Sequence, residues 1–257
     1  MPHSHADTAP RPAVDTVHQP ASRWAPSVVL PRLPGLIAGL LLFGIGIAFM
    51  AEAGMGLGPW EVFHQGIARQ LGVQLGTVSI VLGIPILLAW YPLGERPGVG
   101  TVLNIVLIGT ATNVAMGVLP TVVGQPQQLL VMLLGVVTIA AGSGLYLASD
   151  LGPGPRDGLM TGLVARTGLS VRLVRTSIEA AVLTIGWLLG GTVGIGTLVY
   201  AFGIGPLVQL TLRVTPQRWL AASGWAFAER RLTTMSECQP TVTAEETRQN
   251  MGSTQTC

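Results

Sequence analysis

The chain has 257 residues, of which 49% are apolar and only 10% charged, and its mean hydropathy is +0.57. That balance excludes an ordinary water-soluble domain and makes lipid the solvent for most of the chain. The formal net charge of +2 rests on fourteen arginines and no lysine, spread without a basic run, which excludes a nucleic-acid surface.

Residues 1–31 are rich in Pro, His, Ala and Ser without apolar periodicity and read as a disordered tail, in which His3, His5 and His18 form no ligand set. The first apolar segment is Leu33 to Ala51. Arg23 and Arg32 precede it and Ala51-Glu52-Ala53 follows, the pattern of a cleavable signal peptide. A retained helix is the preferred reading, because cleavage would remove the partner of a later segment. Next come Leu75 to Leu93, Gly100 to Leu119 and Leu129 to Ala148, each nearly free of charge and long enough to cross a hydrocarbon core of roughly 30 Å. Val171 to Leu189 carries Arg172, Arg175 and Glu179, and Thr197 to Val214 is short and ends near Arg213. Internal prolines such as Pro85 and Pro206 suit membrane helices better than soluble ones. Residues 232–257 are a Thr-, Gln- and Glu-rich tail holding both cysteines, Cys238 and Cys257, so neither a disulfide framework nor a metal site is indicated.

A shift of 96 residues superposes Gly56-Leu57-Gly58-Pro59-Trp60-Glu61 on Gly152-Pro153-Gly154-Pro155-Arg156-Asp157, both G-x-G-P-x-acid. The same shift places Gly66 and Gly72 on Gly162 and Gly168, Leu93-Gly94 on Leu189-Gly190, the G-x-G-T of 98–101 on 194–197, Ile108-Gly109 on Ile204-Gly205, and Pro120 on Pro216. Eighteen identities fall in the 82 positions from 39 to 120. Ten are glycines, so the gapless clustering in two motifs carries more weight than the count. The division is a tail of 1–31, a membrane repeat of 32–120, a second of 121–216 and a mostly disordered tail of 217–257.

Each repeat holds three crossings, an odd number, so the second must insert upside down. With the N-terminus cytoplasmic, thirteen of the fourteen arginines lie inside and only Arg69 outside, which places both termini in the cytoplasm. The expected fold is all-α and integral to the membrane: six transmembrane helices in two inverted three-helix repeats, each with a short re-entrant or interfacial helix, 59–71 and 155–167. Such repeats recur in secondary transporters.

Chemistry centres on the two turns. Gly56, Gly58, Gly152 and Gly154 permit a tight turn, Pro59 and Pro155 start a helix, and Glu61 and Asp157 fall in its first turn. The acids either cap the helices and complement the dipole, or line a shared site toward which two re-entrant helices aim. Helical spacing of Phe63, Ile67 and Leu71, and of Leu159 and Leu163, equally suits helices lying flat on the membrane. An acid at such a terminus makes a simple anion a poorer ligand than a proton, a cation or a zwitterion. Arg156 has Trp60 as its counterpart, so the half-sites differ.

Arg175 and Glu179 share one face of the fifth crossing, either as a structural ion pair or as part of a pathway, and the counterpart of Glu179 is Gly83. Asn113 and Gln209 hold equivalent positions in the third and sixth crossings, lining a polar path or serving, with Asn104, as interhelical glue. His64 reads as a solvated histidine. The glycines, including the G-x-x-x-G of 35–39, read as close helix packing. There is no G-x-S-x-G, H-E-x-x-H or Walker motif, so neither enzyme activity nor a cofactor is expected.

Gly56 to Glu61, Gly76 to Ser79, Gly152 to Gly158, Val174-Arg175-Thr176 with Glu179, and Gly190 to Gly196 together resemble bacterial YczE-like integral membrane proteins, of the wider YczE/YyaS/YitT grouping. The resemblance covers roughly residues 34–214 and is most specific at Gly-Pro-Gly-Pro-Arg-Asp-Gly. It implies a multi-pass membrane protein and names no substrate. The arginine-, glycine- and alanine-rich composition looks like that of a high-GC bacterium, with the plasma membrane as the expected location. Expected partners are lipid, a small-molecule or ion substrate and a second copy of the chain. The leading functional expectation is a small secondary permease or exporter; a non-transporting scaffold and a passive channel are its alternatives.

Overall fold

A computed structural model describes residues 26–95 and 97–214. The tail of 217–257 with Cys238 and Cys257, the amino-terminal histidines and Pro216 lie outside the described residues. Residues 26–31, expected in a disordered tail, are helical instead: Pro26–Val29 and the 3-10 turn Leu30–Arg32 lead directly into the first long helix. Val29 packs against the core, which gives this segment an anchor that its composition does not advertise.

Among the described residues eight longer helices follow: α1 (Leu33–Ala53), α2 (Pro59–Leu71), α3 (Leu75–Leu93), α4 (Val99–Val118), α5 (Gln125–Ala148), α6 (Pro155–Thr167), α7 (Val171–Leu188) and α8 (Ile195–Val214). Five apolar spans, Leu30–Ala53, α3, α4, α5 and α8, are long enough to cross a membrane. Charge keeps α7 out of that set. The surface suits lipid: Val81, Ile84 and Leu88 of α3, Leu130 and Val137 of α5 and Phe202 of α8 point outward, while Glu61, His64, Thr101, Thr112 and Thr197 are buried. Polar groups inside and apolar groups outside is the arrangement a hydrocarbon solvent selects. The chain is a multi-pass α-helical membrane protein.

The core is the seam between α1 and α5. Leu36, Leu40, Ile47 and Met50 meet Met132, Val136, Ile139 and Tyr146 there. Glycines bring the backbones together: a Cβ on Gly39 would lie 2.8 Å from the Gly142 carbonyl oxygen, and one on Gly46 2.8 Å from that of Gly135. The pairing of 39 with 142 and 46 with 135 makes the two helices antiparallel. It also maps onto itself under the 96-residue shift, since Gly39 corresponds to Gly135 and Gly46 to Gly142. Around this seam α4 packs on α1, where Thr112 donates to the Gly44 carbonyl at 3.1 Å, and α8 packs on α5.

The two short helices sit on the opposite half of the chain. α2 lies against α7, with Gly66 seated on Leu189, and α6 lies against α3, with Gly162 seated on Leu93; in both, an added Cβ would fall 2.8 Å from the leucine Cβ. This explains why Gly66, Gly162, Leu93 and Leu189 recur. Elsewhere the seats differ in kind: Gly158 of α6 accommodates the Trp90 ring, while Gly186 of α7 makes room for the backbone of Val62 and Phe63. Trp90 is fully buried and its indole N–H donates to the Pro155 carbonyl at 3.0 Å.

Candidate functional site

Each G-x-G-P turn docks on the G-x-G-T stretch of the other half. The turn before α2 receives the Gly196 N–H on the Met55 carbonyl at 2.8 Å, and the turn before α6 receives the Gly100 N–H on the Leu151 carbonyl at 3.0 Å. The threonines fold their own turns in the same way: Gly98 N–H donates to Thr101 Oγ1 at 3.1 Å and Gly194 N–H to Thr197 Oγ1 at 3.3 Å. Thr101 also donates to the Pro153 carbonyl at 2.8 Å. Gly56 and Gly152 have φ of 114° and 125°, a region that side chains avoid, and a Cβ on Gly56 would lie 2.7 Å from Thr197 Oγ1. The two motifs recur because each is the other's receptor.

Docked in this way, the N-termini of α2 and α6 point at each other. Their C-termini lie at opposite ends of α3, whose 19 residues span about 28 Å: α2 leads through Gly72 into its start, whereas Arg166 of α6 donates to the Pro92 carbonyl near its finish. At the meeting point Arg156 Nη2 lies 2.5 Å from Glu61 Oε1, with the Glu61 side chain 3% exposed and that of Arg156 26%. The Arg156 guanidinium also stands over the Trp60 ring, 5.3 Å from its centroid.

Around this pair lies a cavity of about 420 Å³. Its walls come from both halves at matched positions: Pro59 and Pro155, Trp60 and Arg156, Glu61 and Asp157, His64 and Met160, Ser79 and Arg175, Gly83 and Glu179, Asn104 and Tyr200, Ile108 and Ile204. Each pair is 96 residues apart. The chemistry within most pairs differs, so one pocket has two unlike ends. Asp157 Oδ2 accepts from the Tyr146 hydroxyl at 2.9 Å, and the Gly154 N–H donates to the same hydroxyl at 3.1 Å. Arg175 Nε donates to Glu179 Oε1 at 2.9 Å, and this pair is the more open one, 58% and 36% exposed. The cavity is flanked there by α7 and α8, which lack the packing that joins α3 to α4.

Of the residues singled out from sequence, Pro59, Glu61, Gly154, Pro155, Arg156, Asp157, Arg175, Glu179 and Gln209 line this cavity. Gly58 backs it, since a Cβ there would lie 2.6 Å from Glu61 Oε2 and 2.8 Å from the Tyr200 ring. Gly56 and Gly152 stand behind, in the docking turns. Asn113 does not reach it: Asn113 Oδ1 accepts from the Gly76 N–H at 2.8 Å and its Nδ2 donates to Thr77 at 3.0 Å, on the α3–α4 seam. His64, expected in solvent, is 3% exposed inside the protein. It sits one turn beyond Glu61 on the inner face of α2, a burial that an isolated histidine in a short segment does not announce. Neither His64 Nε2 nor Glu61 Oε2 has a hydrogen-bond partner among the described residues. Glu61 stands in the first turn of α2, where its charge complements the helix dipole, and its Oε1 accepts from Arg156.

Sequence reasoning gave no role to Tyr146, Tyr200 or Ser79. The shift could have found two of them, because Tyr200 is the counterpart of Asn104 and Ser79 that of Arg175.

The model of a family of unknown function, DUF6198, matches residues 30–213. An uncharacterized protein of Haemophilus influenzae is 38% identical over 179 residues, covering 70% of this chain and 82% of its own. The uncharacterized membrane protein YczE of Bacillus subtilis is 34% identical over 178 residues, 68% of this chain and 82% of its own. The uncharacterized protein YyaS of Bacillus subtilis is 20% identical over 187 residues, 71% and 93% of the two chains. No solved structure matches the chain.

Proposed function

The chain belongs to the DUF6198 family, a YczE-like membrane protein by its relatives, and from its geometry we propose that it is a small secondary permease or exporter of the plasma membrane. In this reading it has six crossings in two inverted repeats, both termini cytoplasmic, and α2 and α6 as re-entrant helices. The observation that carries it is the Glu61–Arg156 pair, which joins the first turns of two helices entering from opposite ends and is buried beside a cavity built from matched positions. An ionisable pair at such a place is expensive in a membrane and marks a transport path by default.

The antiparallel α1–α5 seam and the cross-docked turns support inversion, and the arginine distribution supports the orientation. The α3–α4 seam is zipped by Asn113 while α7 and α8 stand apart, so the cavity opens past Arg175 and Glu179, on the cytoplasmic side in this orientation. A mirror state would close α7 on α8 and part α3 from α4, which is alternating access.

The test is flux into proteoliposomes holding the purified chain. Flux that saturates with substrate and is lost in Asp157→Asn and Glu179→Gln supports the permease. Unsaturable flux would mean a passive channel. Intact cellular activity in those variants, without flux, would mean a scaffold.

A further inference from the structure

We infer that the cavity binds a protonated organic amine with an apolar body, its ammonium N–H donated to Glu61 Oε2. This rests on the permease reading of the same site and names the class of cargo.

Three carboxylates, Glu61, Asp157 and Glu179, share the cavity with two guanidiniums, Arg156 and Arg175, which leaves one negative charge over. Both guanidiniums are already engaged by carboxylates, Arg156 by Glu61 and Arg175 by Glu179. An anion would have to compete with these carboxylates for the guanidiniums and would add to the excess of negative charge. A neutral ligand without a donor leaves Glu61 Oε2, a buried oxygen with no partner among the described residues, as it is. An N–H⁺ donor satisfies that oxygen and balances the charge together.

A bare divalent metal ion fits poorly: calcium and magnesium take about six or more oxygen ligands and zinc about four ligands, and the described residues gather no cluster of three His, Cys, Asp or Glu side chains for one. The walls suit an organic body. Trp60 already faces one cation, the Tyr200 ring packs beside Glu61 Oε2 at Gly58, and Ile105, Ile108 and Met160 supply apolar surface. The volume of about 420 Å³ falls in the range of small-molecule pockets.

The experiment uses the purified full chain in detergent, following thermal stability and tryptophan fluorescence. Probes are benzylamine, phenethylamine and tryptamine, with phenylacetate, 2-phenylethanol and trimethyl(2-phenylethyl)ammonium as matched controls. At least one amine is expected to bind saturably and more tightly than its anionic, neutral and quaternary analogues, with Glu61→Gln weakening it roughly tenfold or more, as loss of a charge-assisted bond implies. Trp60→Leu keeps the carboxylate and should weaken binding several-fold, so it serves if E61Q does not fold.

Equal binding of phenylacetate or 2-phenylethanol, unchanged affinity in both variants, or no binding by any amine overturns the inference. Amine binding that depends on Glu61, with no flux in proteoliposomes, would instead defeat the permease reading and leave the site standing. Substrate-saturable flux of another solute without amine binding would do the reverse.

Discussion

Asn113 grips Gly76 across the α3–α4 seam, its Oδ1 taking the Gly76 N–H at 2.8 Å while a Cβ on Gly76 would lie 2.6 Å from the same oxygen. The amide and the still nearer Gly109 carbonyl together fill the space that the missing side chain leaves. Its equivalent, Gln209, faces the cavity instead. Asn113→Ala should therefore cost about 1–3 kcal/mol by orphaning a part-buried N–H, and Gln209→Ala much less. Thermal denaturation in one detergent checks the contrast, and equal losses would contradict it.

The ion pair at the centre predicts strong coupling. Removing one partner, as in Glu61→Gln or Arg156→Gln, should cost roughly 2–4 kcal/mol, somewhat under the usual ~3–5 for a buried pair because the Arg156 side chain keeps 26% exposure. The double substitution should cost less than the two single losses added together. A double-mutant cycle on melting temperature measures this, and additive losses would show that the pair is not coupled.

Gly158 has no room for a side chain, since a Cβ would overlap the Trp90 ring. Gly158→Ala is expected to destabilise by about 1–3 kcal/mol through overpacking. Adding Trp90→Leu should recover part of that loss relative to Trp90→Leu alone. No recovery would place the strain elsewhere.

Leu71 and Thr167 end α2 and α6 at equivalent positions and both are exposed. In a chain with Cys238 and Cys257 replaced by serine, Leu71→Cys should react with an impermeant maleimide from outside intact cells. Thr167→Cys should react only after the cells are opened. Labelling of both from one side would rule out opposed insertion.

Much of the fold was legible from residue type alone. Glycine and proline punctuation placed α2, α3 and α6 at the residues where they are found, because Pro59 and Pro155 suit a first helical turn and Gly72 and Gly168 end α2 and α6 at positive φ. The starts of α5 and α8 were placed late, at Leu129 and Thr197 rather than Gln125 and Ile195, since hydropathy does not register a polar or short first turn. For the site, the two turns and their acids were readable, and the choice between interfacial and re-entrant geometry was not. The docking of Gly56 and Gly152 onto stretches 141 and 51 residues away, at Thr197 and Thr101, is likewise something no local pattern reports. Tyr146 was hidden for a related reason: it belongs to an apolar helix, and only the approach of Asp157 gives its hydroxyl a purpose.

The unlike seats of the short helices bear on whether one half could stand in for the other. Under the 96-residue shift Trp90 corresponds to Gly186 and Val62 to Gly158, so bulk on one side of each seat has been traded for space on the other. Two copies of the first half would press Trp90 against Val62, and two copies of the second would leave a hole between Gly158 and Gly186. In these seats neither half fits in place of the other.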